Sequence, residues 1–308
     1  MLEEGGRKDW FSSRYIVEAA LVAAIGLVAF VVIELRRKDP FLNLRLLCRY
    51  NFGLASLMQF TFGAVVFGVV FLIPNYFSDV HGYNARQIGL TMIPYGVVQF
   101  LMSFATPPLM KRTSVRSVIV LGFVIMAAGC LMNIHLDANA ASNVIVPSLI
   151  VRGIGQSLIV VALGVMAVEG LEKAELGSAS GVFSMVRNVG GAIGIAVASQ
   201  FIVSREKLHA FHIGESVTPF SQATRERMVE LVRFLARAPL DRATALYDSG
   251  FAPERQQAIA ILDKIVHREA LLLTYSDAFL VAGVAMLGCA GGSLLLRSKR
   301  RKSSDSSR

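Results

Sequence analysis

Two arginines occupy stretches that are otherwise small or apolar. Arg187 lies within SASGVFSMVRNVGGAIGIAVASQ (178–200), and Arg152 opens RGIGQSLIVVALGVMAVEG (152–170). A guanidinium in hydrocarbon costs at least about 2.5 kcal/mol, so such a charge needs an aqueous cavity, a carboxylate or backbone carbonyls. Arg187 stands about nine residues, or roughly 13 Å, inside the predicted start of its helix. Snorkelling to the headgroups would therefore be partial, and it stands as the alternative to a bundle-facing side chain. Gly181, Ser184 and Asn188 fall near Arg187's face at helical spacing, which makes that face small and polar. Arg152 has Gly153, Gly155 and Gln156 beside it. Its two readings are a hydrogen bond between helices and a place on a polar pathway.

Other residues suit the same chemistry. Thr91, Gln99 and Ser103 line a single face of 87–109, and Pro74, Pro94 and Pro147 interrupt apolar blocks. Proline is tolerated in membrane helices where neighbours or water satisfy the freed carbonyls, as along a transport pathway or at a kink that serves packing alone. Asp277 heads the last apolar block in LLLTYSDAFLVAG. It reads either as a solvated helix-end charge or as a proton-linked group. Arg187, Arg152, Asn188, Gln156 and Gln99 are thus the candidates for a pathway taken by small molecules, and Asp277 for proton linkage. The sequence holds no H-E-x-x-H, no G-x-S-x-G and no phosphate-binding glycine loop after a strand. Cys48, Cys130 and Cys289 are too scattered for a disulfide framework or a metal site. The expectation is a protein that is not an enzyme and carries no cofactor or metal.

The elements that position these residues follow from composition. The chain is 54% hydrophobic and 17% charged, with a mean hydropathy of +0.55. Soluble domains carry about 25% charged residues, so the balance predicts an all-α integral membrane protein in a lipid bilayer. Seven blocks are long enough to span: 15–35, 52–77, 87–109, 115–136, 143–168, 178–203 and 273–296. The repeated spacings Gly177/Gly181 and Gly190/Gly194 suit close helix contact. Lys and Arg number fifteen on one side of this arrangement and four on the other, leaving out the long connection 204–272. The positive-inside rule then puts the C-terminus in the cytoplasm and the N-terminus outside. The net charge of +9 is distributed as that rule requires, so nucleic acid is not an expected partner. Within 204–272, Met228, Leu231, Val232 and Leu235 recur at helical spacing, as do Ala258, Leu262, Ile265 and Val266. Two separate amphipathic helices are expected there, lying on the outer surface or capping the bundle. The expected division is an external segment 1–14, a linker helix with a cytoplasmic loop over 15–51, a six-helix bundle over 52–296 and a basic cytoplasmic tail over 297–308.

Several motifs resemble a known family. LEEGGRKDWFSS, a span and then ELRRKDPFLNLRLL are similar to the seventh-to-eighth helix region of fourteen-helix major facilitator exporters. These are drug:proton antiporters of the EmrB/QacA type. FLIPNYFSDVHGYNARQIGLTMIPYG resembles their ninth and tenth helices. RGIGQ resembles the arginine motif of the facilitator fourth helix as it repeats in the second half, and SGVFSMVRNVGGAIGIAV and REALLLTYSDAF resemble the last two helices. The likeness extends over essentially the whole chain. It implies one linker helix plus a C-terminal six-helix bundle, proton-driven efflux of drugs or other amphipathic molecules, and residence in the inner (plasma) membrane. It also implies that an N-terminal six-helix half is missing, with the acidic first-helix residue usually tied to proton coupling. That half and a periplasmic adaptor are the implied partners. LMKRTSVRSVIV keeps the basic residues of the family's cytoplasmic motif but not its glycine and aspartate. The competing expectation is a non-transporting membrane fragment or assembly partner.

Overall fold

A computed structural model describes residues 14–37, 42–135, 142–217, 222–237, 239–248 and 253–296, and all regular structure among them is helical. Helix α1 (Arg14–Arg36) is followed by a 3-10 turn over Leu44–Cys48, which begins where the Asn43 side chain accepts from the Arg45 amide. Helix α2 (Tyr50–His81) ends at Gly82, whose φ of 64° is the left-handed C-cap conformation that favours glycine. Helix α3 (Ala85–Arg112) starts from a capping box between Asn84 and Gln87. Ser114 caps α4 (Val115–Leu131), and α5 (Ser142–Val168) follows. The rest is α6 (Leu176–Ser216), α7 (Gln222–Ala236), α8 (Leu240–Asp248) and α9 (Pro253–Ser293).

Six of these helices, α1, α2, α3, α5, α6 and α9, are long and apolar enough to cross a membrane. Helix α4 is apolar but has only 17 residues, the short end of the spanning range. The expected block 115–136 thus runs past the end of its helix at Leu131, and the chain turns at Met132 and Asn133. Pro74, Pro94 and Pro147 sit inside continuous helices, as do Pro107 and Pro108. Beside Pro74, the Asn75 side-chain amide donates to the Phe71 carbonyl at 3.0 Å.

Helices α6 and α9 depart most from the sequence expectation. Each has 41 residues, about 61 Å of helix, against roughly 30 Å of hydrocarbon. The amphipathic stretch 253–270 is not a separate helix but the first half of α9. No glycine or proline occurs from Glu254 to Ala282, so nothing breaks the helix where its pattern changes from amphipathic to apolar. The likewise unbroken run from Ile195 to Ile213 carries α6 past its apolar block. Helices α7 and α8 close over the far ends of this pair and bury Met228, Val229, Val232, Ala243 and Ala258 as a small third core.

Two larger cores hold the bundle. One gathers Phe52, Phe62, Phe123, Leu163, Met166, Val182 and Met286. The other centres on Tyr76, Phe77, Leu149, Tyr275 and Phe279. Helix α2 lies along α6, α5 lies between α3 and α4, and α9 touches α2, α4 and α6. The α2/α6 contact is backbone on backbone. A Cβ added at Gly190 would collide with the Phe60 carbonyl, and one at Gly194 with that of Ala64. Gly177 and Gly181, with the same spacing, do not serve this contact. A Cβ at Gly177 would meet nothing within 4 Å, and one at Gly181 only the Leu42 side chain. Helix α1 stays off the bundle, with Leu21, Val22, Ile25 and Val28 exposed, and meets it at the 3-10 turn. There the Glu34 carboxylate, itself buried, accepts from the Leu42 amide at 3.1 Å.

Candidate functional site

Arg152 sits midway along α5 and is 1% exposed. Its Nε donates to the Ser148 carbonyl at 3.2 Å and one terminal nitrogen to the Ser148 hydroxyl at 3.2 Å. The guanidinium carbon lies 5.3 Å from the centre of the Phe279 ring on α9, within cation–π range. The other terminal nitrogen is buried with no hydrogen-bond partner, and no carboxylate pairs with this arginine among the described residues. Room for its stem comes from α4, because a Cβ at Gly129 would fall 2.6 Å from the Arg152 Cγ. Sequence proximity therefore does not explain this site. Three helices meet around one charge whose hydrogen bonding is incomplete.

One turn further along α5, Gln156 is buried and accepts a short hydrogen bond from the Tyr95 hydroxyl on α3. Ser157 donates to the Gln99 carbonyl at 2.8 Å. Gly153 brings the two helices together, since a Cβ there would lie 3.0 Å from the Tyr95 carbonyl. Gln99 thus joins the cluster through its backbone, while its side chain is half-buried. A cavity of about 10 Å³ borders Val66, Ile73, Tyr95, Met126, Leu149 and Arg152, room for about one water molecule. Arg152, Gln156 and Gln99 are brought together; Tyr95 and Ser157 complete the group. Neither of those two carries a charge or a spacing that marks it in the sequence.

Arg187 is elsewhere on the same scaffold. It is half-buried on α6, where its main chain and Cγ press against Gly63 of α2. Its Nε is buried without a hydrogen-bond partner. Asn188 and Ser184 are exposed on the same helix. The two arginines therefore both pack along α2, Arg187 at Gly63 and Arg152 by the cavity that Val66 and Val69 line a turn later.

Asp277 is apart from both. It is half-buried on α9 and contacts α6, 3.0 Å from the His209 Nε2 and 3.7 Å from an Arg205 terminal nitrogen. Nearby, Tyr275 donates to the Asp79 carboxylate of α2 at 3.0 Å. His209 and Arg205 precede Asp277 by about seventy residues, so only the antiparallel pairing of α6 with α9 reveals them. Among the described residues, no group of three or more His, Cys, Asp or Glu side chains could hold a metal ion.

An all-helical bundle with polar and charged side chains held inside apolar helices has relatives. The profile of the Major Facilitator Superfamily matches residues 8–195. The colistin resistance protein EmrB of Acinetobacter baumannii is 26% identical over 285 residues, covering 92% of this chain and 53% of that protein. The multidrug export protein EmrB of Escherichia coli K12 is 24% identical, with 93% of this chain and 53% of the relative covered. The fatty acid resistance protein FarB of Neisseria gonorrhoeae is 25% identical over 75% of this chain and 46% of its own length. The chain spans about half the length of the curated relatives it matches. The helices, the match to residues 8–195 and these relatives lead to one conclusion: this chain belongs to the Major Facilitator Superfamily, a family of membrane transporters and not of enzymes.

Proposed function

We propose that this chain forms one helical bundle of an exporter for drugs or other amphipathic small molecules, driven by the proton gradient across the inner membrane. The observation that carries the reading is Arg187. It is a half-buried arginine within a spanning helix, and its buried Nε has no partner. Such a group is stable there when a second bundle, water or a bound molecule completes its hydrogen bonding. The relatives support the substrate class, being named for colistin resistance, multidrug export and fatty acid resistance.

In this reading the basic ends of the helices face the cytoplasm and the long ends of α6 and α9 project outside. The partner in this reading is an N-terminal bundle, because alternating access needs two bundles rocking around a site between them. A periplasmic adaptor completes the assembly. Asn188 lies beside Arg187 on the pathway face. Gln156 and Gln99 hold α3 against α5, and Arg152 holds α5 against α4 and α9. Asp277, paired with His209 and Arg205, is the proton-linked carboxylate. The test is export by Arg187→Ala in cells that also supply the N-terminal bundle. Loss of export at normal membrane levels supports the reading, and unchanged export contradicts it.

A further inference from the structure

The far ends of α6 and α9, with α7 and α8 across them, enclose a pocket of about 390 Å³. That volume lies within the range of small-molecule sites. Its walls are mostly apolar, with Met228 from α7, and Ile259, Leu262 and Val266 from α9. The Tyr247 ring enters from α8, and Asp263 and His267 stand on the α9 side. No lysine or arginine lines it among the described residues, in a chain whose net charge is +9. The one carboxylate among its described lining residues is Asp263. The Asp263 carboxylate is 68% exposed and 3.7 Å from the His267 Nε2, and the other nitrogen of that ring is 3.3 Å from Glu206.

Apolar walls, an aromatic ring and a largely exposed carboxylate together recognise one class of molecule. We propose that this pocket binds a lipophilic organic cation, with its apolar groups against Met228, Leu262 and Val266 and its positive charge toward Asp263 and Tyr247. A cation gains from the carboxylate and from the ring face. A lipophilic anion fits the same walls but meets Asp263 and Glu206 unfavourably. The site lies at the opposite end of α6 from Arg187 and does not depend on the transport reading.

Gly214 provides the test. It lines the pocket, and a Cβ added there meets nothing within 4 Å, so a phenylalanine fits at the pocket's edge without displacing backbone. Binding of radiolabelled tetraphenylphosphonium to the purified full chain in uncharged detergent is measured, with protein-free micelles subtracted. The expected result is saturable binding that Gly214→Phe abolishes and Asp263→Asn weakens about tenfold. Ala210→Phe plugs the same pocket from one turn earlier on α6 and serves if Gly214→Phe lowers helicity. The lipophilic anion anilinonaphthalene sulfonate, titrated separately by fluorescence, should show no component that either plug removes. Tetraphenylphosphonium binding unchanged in both plugged variants, unchanged in Asp263→Asn, or matched by plug-sensitive anion binding would overturn the proposal. Since binding is read without transport, this outcome is separate from that of the export experiment.

Discussion

At the residue scale, burial separates the two arginines that share a chemical type. Arg152 is fully enclosed, hydrogen-bonded to Ser148 and set over the Phe279 ring, whereas Arg187 is only half-buried with an unpartnered Nε. Arg152→Ala removes a cation–π contact and two hydrogen bonds and leaves a cavity where its stem now lies, so loss of folded protein is expected, read as a lower melting temperature in detergent. Arg187→Ala removes a charge whose Nε has no hydrogen-bond partner among the described residues. Its melting temperature should stay near that of the wild type while export falls at least about tenfold, equal to 1.4 kcal/mol. If the two variants show the same loss of stability, this separation of roles fails. The costs of both residues are legible in the sequence, because any charge within a long apolar run is conspicuous. Their environments are not, since Ser148, Phe279 and Gly63 reach them from the next turn or from other helices.

At the element scale, identical spacing gives different outcomes. Gly190/Gly194 and Gly177/Gly181 both read G-x-x-x-G, but only the first pair rests on a neighbouring backbone. Spacing fixes which face a residue occupies, while the packing of α6 on α2 decides what that face meets. Gly194→Ala should therefore destabilise by about 1–3 kcal/mol through overpacking against Ala64. Gly177→Ala, with open space around it, should be neutral or slightly stabilising. Thermal unfolding of the two variants side by side decides this, and equal effects would refute the contact. Helix existence is well marked by the apolar blocks, which correspond to α1 through α6 and the second half of α9. The lengths of α6 and α9 are less legible, because a change from apolar to amphipathic pattern resembles a boundary when no breaker residue marks one. Continuity of α9 predicts that nitroxide labels at exposed Ile259 and Leu280 lie about 31 Å apart along the axis, at 1.5 Å per residue. A double electron–electron resonance distance well below this would show a bend between them.

At the scale of the whole molecule, helix α1 stands clear of the bundle and six further apolar helices pack around two cores. Family membership rests on that architecture and on a profile match covering residues 8–195. Orientation is a separate matter, argued from fifteen basic residues against four. A cytoplasm-only reporter placed within 239–253 should be silent and a periplasm-only reporter there active; the reverse pattern would invert the topology. The central claim is that this chain supplies one of two bundles needed for alternating access. The direct measurement is accumulation of a fluorescent amphipathic substrate in an efflux-deficient strain, with and without a protonophore. The chain expressed alone should match the empty vector, and protonophore-sensitive efflux should appear when an N-terminal bundle is supplied. Protonophore-sensitive efflux by the chain alone would contradict the account and point to a homodimer that transports.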